Sequence, residues 1–171
     1  MQPLIFVDLD GVLVDLVAGL SEKVGKQLSQ ERTDEFTETF YSTIQNMNRA
    51  QVAQFYSKLP PTKDCMKIWD AVKGYKAKIL TSVSKTVGAI YGKELWCCTN
   101  LGIVSDYVYC SYDSNEKQYY ASPKSLLIDD YKRNIDQWKA AGGTAIHHVD
   151  ADSTIQQVRE FLEKNWKYDC Y

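Results

Sequence analysis

The sequence lacks several patterns that would assign a protein to a structural class at once. Its 171 residues include five cysteines, but no CxxC pair and no Cys/His set with the spacing of a zinc site. An odd number of cysteines fits free thiols better than a disulfide framework, so we expect a cytoplasmic protein. Neither an internal repeat nor a low-complexity segment is found. A chain of this length is expected to form one domain, or one domain with an insertion.

Charge and hydropathy argue against two further classes of protein. The formal net charge of -2, with an isoelectric point near 5.7, gives no reason to expect a nucleic-acid polymer as partner. The first apolar run is interrupted by Asp8, Asp10 and Asp15 and has no basic segment before it, so we expect no signal peptide. No later run reaches the ~20 residues that a membrane span needs. We therefore expect a soluble protein that does not bind a membrane.

Short apolar runs with the character of strands recur along the chain, and segments of helical composition separate them. The five runs are Leu4 to Val7, Ala77 to Thr81, Tyr107 to Cys110, Ser125 to Ile128 and Thr144 to His148. Continuous apolar strands joined by helices are typical of a parallel sheet that is covered on both faces. The sequence therefore predicts an α/β fold with a Rossmann-like parallel sheet.

The longest interval between these runs lies between the first and the second. It is polar and helical in composition, and Pro60 and Pro61 end it, because proline cannot continue a helix. A crossover between parallel strands needs only one helix, so the surplus predicts a small helical cap inserted after the first strand. The expected domains are an α/β core at 1–15 and 60–171 and a cap at 16–59.

Polar residues follow three of the expected strands. They are Asp8, Asp10 and Gly11 after the first strand, Thr81, Ser82 and Lys85 at and after the end of the second, and Asp129 and Asp130 after the fourth. The carboxyl ends of parallel strands meet at one edge of a sheet, so these side chains are expected to converge. Carboxylates that close would repel one another unless a cation lay between them, and oxygen ligands suit Mg²⁺. The sequence therefore predicts a Mg²⁺ site at this edge.

An acidic cluster of this kind suits phosphoryl transfer. A phosphate dianion approaches a carboxylate only when a metal and cationic side chains offset both charges. An aspartate can then attack phosphorus, and a second acid can protonate the leaving oxygen and later activate water. Asp8 and Asp10 fit these two roles, and Gly11 would let the backbone turn tightly beside the phosphate.

Four motifs together give the chain a family resemblance. DLDGVLVD, ILTS, a lysine upstream of an acidic pair, and LLIDD resemble, in this order, the haloacid dehalogenase (HAD) superfamily of phosphotransferases. DGVLVD, LPP, TSVSK and LLIDD are similar, more narrowly, to the 5'(3')-deoxyribonucleotidases and their small phage and bacterial relatives. The resemblance implies a Mg²⁺-dependent hydrolase that works through an aspartyl-phosphate, with a (deoxy)nucleoside 5'-monophosphate as its substrate.

The resemblance also implies a role for individual residues. Asp8 matches the nucleophile and a metal ligand, and Asp10 matches the general acid/base, whose backbone carbonyl also meets the metal. The remaining matches are Thr81, Ser82 and Lys85 for the substrate phosphate, and Asp129 or Asp130, between which the motif does not decide, for the metal. For the lysine of the third motif we prefer Lys117 to Lys124. Lys124 directly precedes the fourth strand, and at ~3.3 Å per residue it would lie roughly 15 Å from the catalytic end.

The chain also departs from the nucleotidases at the position that would recognise a base. Leu16 stands where they carry a phenylalanine that stacks on the base, so the cap aromatics Phe36, Phe40 and Tyr41 become candidates, with packing inside the cap as the alternative. Two other functions stay open: a phosphatase for another small phosphomonoester, and a phosphate-binding module without catalysis. A homodimer also stays open.

Overall fold

The sheet of the computed structural model confirms the expected α/β class. The structure describes residues 3–29 and 33–165, and its five strands are all parallel, in the order β3-β2-β1-β4-β5. The strands are β1 (Leu4–Val7), β2 (Lys78–Ser82), β3 (Val108–Ser111), β4 (Ser125–Asp129) and β5 (Thr144–His147). Because β1 lies in the centre between β2 and β4, the three strands that carry the polar ends are direct neighbours.

Seven helices cover the sheet and extend beyond it within the described part of the chain. They are α1 (Leu16–Val24), α2 (Asp34–Gln45), α3 (Arg49–Ser57), α4 (Cys65–Val72), α5 (Val87–Leu101), α6 (Lys132–Ala140) and α7 (Ala151–Asn165). Short 3₁₀ segments occur at Lys73–Tyr75, Ser105–Tyr107 and Ser114–Tyr120. None of the helices within residues 3–29 and 33–165 has both the length and the apolar character that crossing a membrane requires.

The strands lie within one residue of their expected bounds. β3 begins at Val108 because Ser105–Tyr107 forms a 3₁₀ turn before it, and β5 ends at His147. The strand β4, next to the central β1, is buried along its whole length, as its continuous apolar sequence predicts for a strand covered on both faces. Burial on both faces thus holds in place the strands whose carboxyl ends carry the polar residues.

The helical insertion starts and ends at one place beside the sheet. The backbone N–H of Asp15 donates to the carbonyl of Pro60 at 2.9 Å, and Val14 pairs with Pro61 in an antiparallel bridge. Asp15 also caps α1, since its carboxylate accepts from the N–H of Ala18 at 2.8 Å. Three helices, α1 to α3, lie between this point and β2 in addition to α4. The division into 1–15 with 60–171 and 16–59 stays a prediction.

Two glycines let α3 of the insertion pack closely against α5. A Cβ atom added to Gly88 would lie 2.3 Å from the carbonyl oxygen of Arg49, and one added to Gly92 would lie 2.5 Å from that of Ala53. Since real Cβ atoms do not approach backbone so closely, larger residues at these positions would push the two helices apart. The insertion is thereby held against the helix that follows β2.

Candidate active site

Asp8 stands at the carboxyl end of the central strand and is almost fully buried. Its backbone N–H donates to the carbonyl of Ile128 at 2.8 Å, which continues the ladder between β1 and β4. One carboxylate oxygen, Oδ1, accepts from the backbone N–H of Leu9 at 2.7 Å and lies 2.9 Å from Nζ of Lys117. A buried carboxylate needs such partners to remain charged.

Lys117 lies on the 3₁₀ segment Ser114–Tyr120, and its side chain is only 2% exposed. The ammonium lies between Asp8 and Asp129, and it donates to Oδ2 of Asp129 at 2.7 Å. Burial alone lowers the pKa of Lys117, but the two carboxylates more than offset it and raise the pKa above its usual value. The side chain therefore stays an ammonium beside Asp8.

Asp129 is fully buried at the end of β4 and has several hydrogen-bond donors around it. Its Oδ1 accepts from the backbone N–H of Tyr131 at 2.8 Å, and its Oδ2 accepts from the amide of Asn134 at 2.9 Å as well as from Lys117. Burial, followed by the nearby Asp8 carboxylate, raises the pKa of Asp129, while Lys117 acts in the opposite direction. These donors fix the carboxylate in one orientation.

Three carboxylates form a cluster at this edge that fits a divalent cation. Oxygen atoms of Asp8, Asp129 and Asp130 all lie within 4.8 Å of one another. Oxygen donors are the ligands that Mg²⁺ prefers, and a metal with two positive charges would offset the repulsion within the cluster. Gly11 leaves room for the Asp130 carboxylate in this cluster. The φ of Gly11 is +88°, and a Cβ added there would lie 2.0 Å from Oδ2 of Asp130. The donor set therefore fits Mg²⁺.

Lys93 is a buried site residue that the sequence motifs did not indicate. Its Nζ donates to Oδ2 of Asp10 at 2.5 Å, to Oγ1 of Thr81 at 2.8 Å and to the carbonyl of Ser82 at 2.8 Å. Lys93 lies on the inner face of α5, which also buries Ala89, Trp96 and Cys97. A single lysine on an otherwise apolar helix face was the signal that could have identified it.

The structure brings some of the predicted residues together and places others elsewhere. Asp8, Asp10, Thr81, Lys117, Asp129 and Asp130 lie at the carboxyl edge of the sheet. Lys85 is exposed and forms no hydrogen bond or ion pair with the residues in 3–29 and 33–165. Lys124 lies at the opposite edge, where its carbonyl accepts from the N–H of Leu4 at 3.0 Å. The Ser82 hydroxyl lies 3.4 Å from that of Ser111.

A cavity of about 810 Å³ adjoins the acidic cluster. Gly11 and Asp130 line it on the side of the cluster, and Leu16, Val17 and Tyr131 supply apolar and aromatic surface. The other residues that line it are Asp15, Thr62, Lys63, Asp64, Lys132, His147, His148 and Val149. A small organic molecule would fit this volume.

The aromatic side chains of α2 pack with one another and do not line this cavity. The rings of Phe36 and Phe40 stack with their centroids 6.1 Å apart and their planes at 10°, and Tyr41 packs edge-on against Phe40 at 5.5 Å. Phe36 is buried in the main hydrophobic core. Their place in the structure therefore matches packing within the helical insertion rather than the lining of this cavity.

Comparison with solved structures identifies the fold, whereas no family model and no curated protein matches the chain. L-2-haloacid dehalogenase from Xanthobacter autotrophicus, with chloropropionic acid covalently bound, is 14% identical with a TM-score of 0.53, over 100% of this chain and 91% of that one. CbbY from Rhodobacter sphaeroides, in complex with phosphate, is 12% identical with a TM-score of 0.51, over 85% of each chain. A hydrolase from Streptococcus pneumoniae TIGR4 is 13% identical with a TM-score of 0.51, over 93% of this chain and 100% of that one. The chain has the Rossmann-like fold of the HAD hydrolases.

Proposed function

We propose that the chain is a Mg²⁺-dependent phosphomonoesterase that forms an aspartyl-phosphate on Asp8. The observation that carries this proposal is the geometry around Asp8, which lies 2.9 Å from the buried Lys117 ammonium and within 4.8 Å of two further carboxylates. The cluster is built on the ends of two central strands, where catalytic groups are held rigidly. The HAD-type fold, which CbbY in complex with phosphate shares, is consistent with this chemistry.

The reaction would proceed in two displacements. Asp8 attacks phosphorus, the bond from phosphorus to the ester oxygen breaks, and Asp10 gives its proton to the leaving oxygen. Asp10 then takes a proton from water, which attacks the aspartyl-phosphate and releases Asp8 and inorganic phosphate. Lys117 offsets negative charge at Asp8 and at the phosphate, and the Thr81 hydroxyl donates to a phosphate oxygen.

Bound Mg²⁺ would neutralise part of the charge on the phosphate and on the carboxylates that hold it. Asp8, Asp130 and the backbone carbonyl of Asp10 are the proposed ligands. Both oxygens of Asp129 already accept from Tyr131, Asn134 and Lys117, so this carboxylate is better suited to orient Lys117 than to bind metal. This assigns the two members of the acidic pair to different roles.

The proposed substrate is a nucleoside or deoxynucleoside 5'-monophosphate, with another small phosphomonoester as the second candidate. Its support is the cavity of about 810 Å³ beside Asp130, in which Tyr131 offers the aromatic face that Leu16 lacks. Residues 16–59 would act as a cap whose closure excludes bulk water from the aspartyl-phosphate. An enzyme of nucleotide metabolism in the cytoplasm would fit the free thiols that the odd cysteine count predicts.

A panel of phosphomonoesters tests this proposal on the purified chain with Mg²⁺. Phosphate release is measured from p-nitrophenyl phosphate, ribose 5-phosphate and the nucleoside and deoxynucleoside 5'-monophosphates, with Asp8→Asn as the inactive control. We expect turnover, and a higher kcat/KM for nucleotides than for ribose 5-phosphate. Equal efficiency on both would reject the nucleotidase but retain the phosphomonoesterase. Phosphate binding without any turnover would support a binding module instead.

A further inference from the structure

The ammonium of Lys93 is enclosed and fully hydrogen-bonded, which is an unusual state for a lysine. Its side chain is 1% exposed, and its three N–H groups reach three acceptors on Asp10, Thr81 and Ser82. No donor remains for a substrate. Lys93 therefore cannot bind the phosphate directly in this arrangement, and its effect has to pass through the groups that it contacts.

These contacts determine how two neighbouring groups are oriented. An ammonium has no acceptor, so Oγ1 of Thr81 must accept from Lys93, and the hydroxyl proton of Thr81 remains for another acceptor such as a phosphate oxygen. The same ammonium holds Oδ2 of Asp10 at 2.5 Å. One buried cation thus sets the direction of both a hydroxyl and a carboxylate at the site.

Lys93 is also in contact with the insertion. Its Nζ lies 5.2 Å from the centre of the ring of Tyr56, a buried residue of α3. Gly92 allows this approach, because a Cβ there would lie 2.8 Å from Cβ of Tyr56. The position of the ammonium is therefore restricted on one side by the core and on the other side by α3.

We propose that Lys93 is a positioning residue that holds the Asp10 carboxylate and the Thr81 hydroxyl in the orientation needed for transfer of the proton to the leaving group, with Tyr56 limiting its place from the cap. This inference rests on the proposed phosphomonoesterase. General acid catalysis contributes about 100-fold to 10,000-fold to rates, and a displaced acid loses much of that contribution. The loss falls on substrates whose leaving group needs a proton.

The test compares two leaving groups in Lys93→Met and in a matched control, Lys78→Met. Lys78 also places its Nζ over an aromatic ring, 4.8 Å from the centre of Tyr109, but it lies at the start of β2 away from the site. With Mg²⁺ present, Lys93→Met should lose about tenfold or more kcat on an alkyl phosphate relative to p-nitrophenyl phosphate, whose leaving group needs little protonation. Lys78→Met should leave the ratio of the two kcat values unchanged.

An equal loss of kcat on both substrates, or no loss, would overturn the role of Lys93 while leaving the phosphatase intact. If the unmodified chain turned over neither substrate, both the phosphatase and this inference would be overturned. Circular dichroism checks that each variant is folded. If Lys93→Met does not fold, Lys93→Gln, which keeps two N–H donors without the charge, takes its place in the same comparison and is judged by the same outcomes.

A second inference comes from the opposite face of α5. Val87, Tyr91 and Leu95 follow one another at intervals of one helical turn and are 51%, 59% and 41% exposed. They border a groove of about 770 Å³ between α3 and α5, which Arg49 and Glu94 also line. An apolar stripe of this kind is the usual mark of an interaction surface.

The charges at this groove are arranged so that the surface complements itself. Arg49 lies beside Gly88, as the close approach of their backbones shows, and Gly88 and Glu94 each lie three residues from Tyr91. A two-fold axis at Tyr91 that pairs two α5 helices in antiparallel fashion would place Arg49 of one copy opposite Glu94 of the other. Neither side chain forms an ion pair with another residue in the part of its own chain that the structure describes.

The geometry points to a second copy of this chain as the occupant of the groove, with Val87 of one copy against Leu95 of the other. Such a dimer would cover the apolar stripe and would clamp α3 against α5 on both subunits. Shared burial of apolar side chains would stabilise it, and the two symmetry-related ion pairs would fix its orientation. Within residues 3–29 and 33–165, a single chain leaves both features without a partner surface.

Light scattering after size exclusion tests this dimer on the purified chain. We expect a dimer, a monomer for Tyr91→Asp, and an unchanged dimer for Met66→Asp, a matched control at an exposed apolar residue on α4. Glu94→Arg should weaken the dimer, and the double variant Arg49→Glu with Glu94→Arg should restore it. A monomeric parent chain at its highest soluble concentration, a dimeric Tyr91→Asp, or a double variant no better than Glu94→Arg would overturn the proposal.

Discussion

Lys117 and Asp8 form a buried ion pair, with Nζ of the lysine 2.9 Å from Oδ1 of the aspartate. The same ammonium contacts Asp129 at 2.7 Å, so one cation lies between the ends of β1 and β4. Because the pair is almost fully buried, water cannot replace the lysine, and its removal would leave two uncompensated carboxylates beside the proposed phosphate site.

We expect Lys117→Ala to lower kcat by about 100-fold or more, since charge stabilisation in a desolvated site is worth that much. Lys124→Ala should behave like the loss of an ordinary surface charge. Steady-state hydrolysis of p-nitrophenyl phosphate by both variants checks this, after circular dichroism has shown that each is folded. If Lys124→Ala were the inactive variant, the third-motif lysine would have been misassigned.

Gly11→Ala should lower both the affinity for Mg²⁺ and the stability of the fold, and the loss of affinity should be the larger effect. Its φ of +88° would strain alanine by about 1–2 kcal/mol, and its Cβ would also meet Oδ2 of Asp130 at 2.0 Å. Gly25→Ala is the matched control, because Gly25 has a φ of +67° with no atom within 4 Å of an added Cβ. Calorimetric titration with Mg²⁺ compares the two variants. Equal Mg²⁺ affinities for the two would contradict the placement of the metal beside Asp130.

The two acids of the LLIDD motif should respond differently to truncation. Asp129→Ala removes one of the two carboxylate partners of Lys117 and leaves the amide of Asn134 and the N–H of Tyr131 without this acceptor. Breaking such a buried pair costs about 3–5 kcal/mol of stability. Asp130→Ala should change the free energy of unfolding less, but it should abolish the rise in melting temperature that we expect Mg²⁺ to give the parent chain.

Thermal melts with and without Mg²⁺ measure both effects. A full Mg²⁺-dependent rise in Asp130→Ala would show that Asp130 is not a ligand.

Tyr131→Ala should reduce selectivity for nucleotides. Its ring lines the cavity beside Leu16, and stacking on a base is worth about 1–3 kcal/mol, or about fivefold to more than 100-fold in kcat/KM. The ratio of kcat/KM for a nucleoside 5'-monophosphate to that for ribose 5-phosphate checks this. Tyr119→Ala, at an exposed tyrosine that does not line the cavity, is the control. An unchanged ratio in Tyr131→Ala would remove this ring from base recognition.

The sheet and its acidic edge could be predicted from sequence because their causes are local. Apolar runs such as LLI, just before Asp129, identify buried strands, and parallel strands necessarily bring their carboxyl ends to one edge. The placement of Asp8 next to Asp129 also requires that β1 and β4 be neighbours in the sheet, which the structure shows. The same strand geometry explains why Lys124, just before β4, lies at the far edge.

The positions of Lys93 and Lys85 could not be predicted from the strand pattern, since they depend on how the chain packs after β2. TSVSK suggests a phosphate lysine at Lys85, but in the structure this residue is exposed, while α5 turns its inner face toward Asp10 and Thr81. The packing of α3 against α5 through Gly88 and Gly92 helps to fix which residue of that helix reaches the site. No motif spacing encodes such a contact.

Trapping a phosphoryl group on Asp8 tests the central claim most directly. The chain is mixed with Mg²⁺ and p-nitrophenyl phosphate, the reaction is quenched in acid within the first turnover, and peptides are examined by mass spectrometry, with Asp8→Asn as the control. The account predicts one added phosphoryl group on the peptide that contains Asp8, and none in the variant. Mg²⁺-dependent turnover with no phosphorylated Asp8 peptide at any quench time, or with the group on another residue, would contradict it.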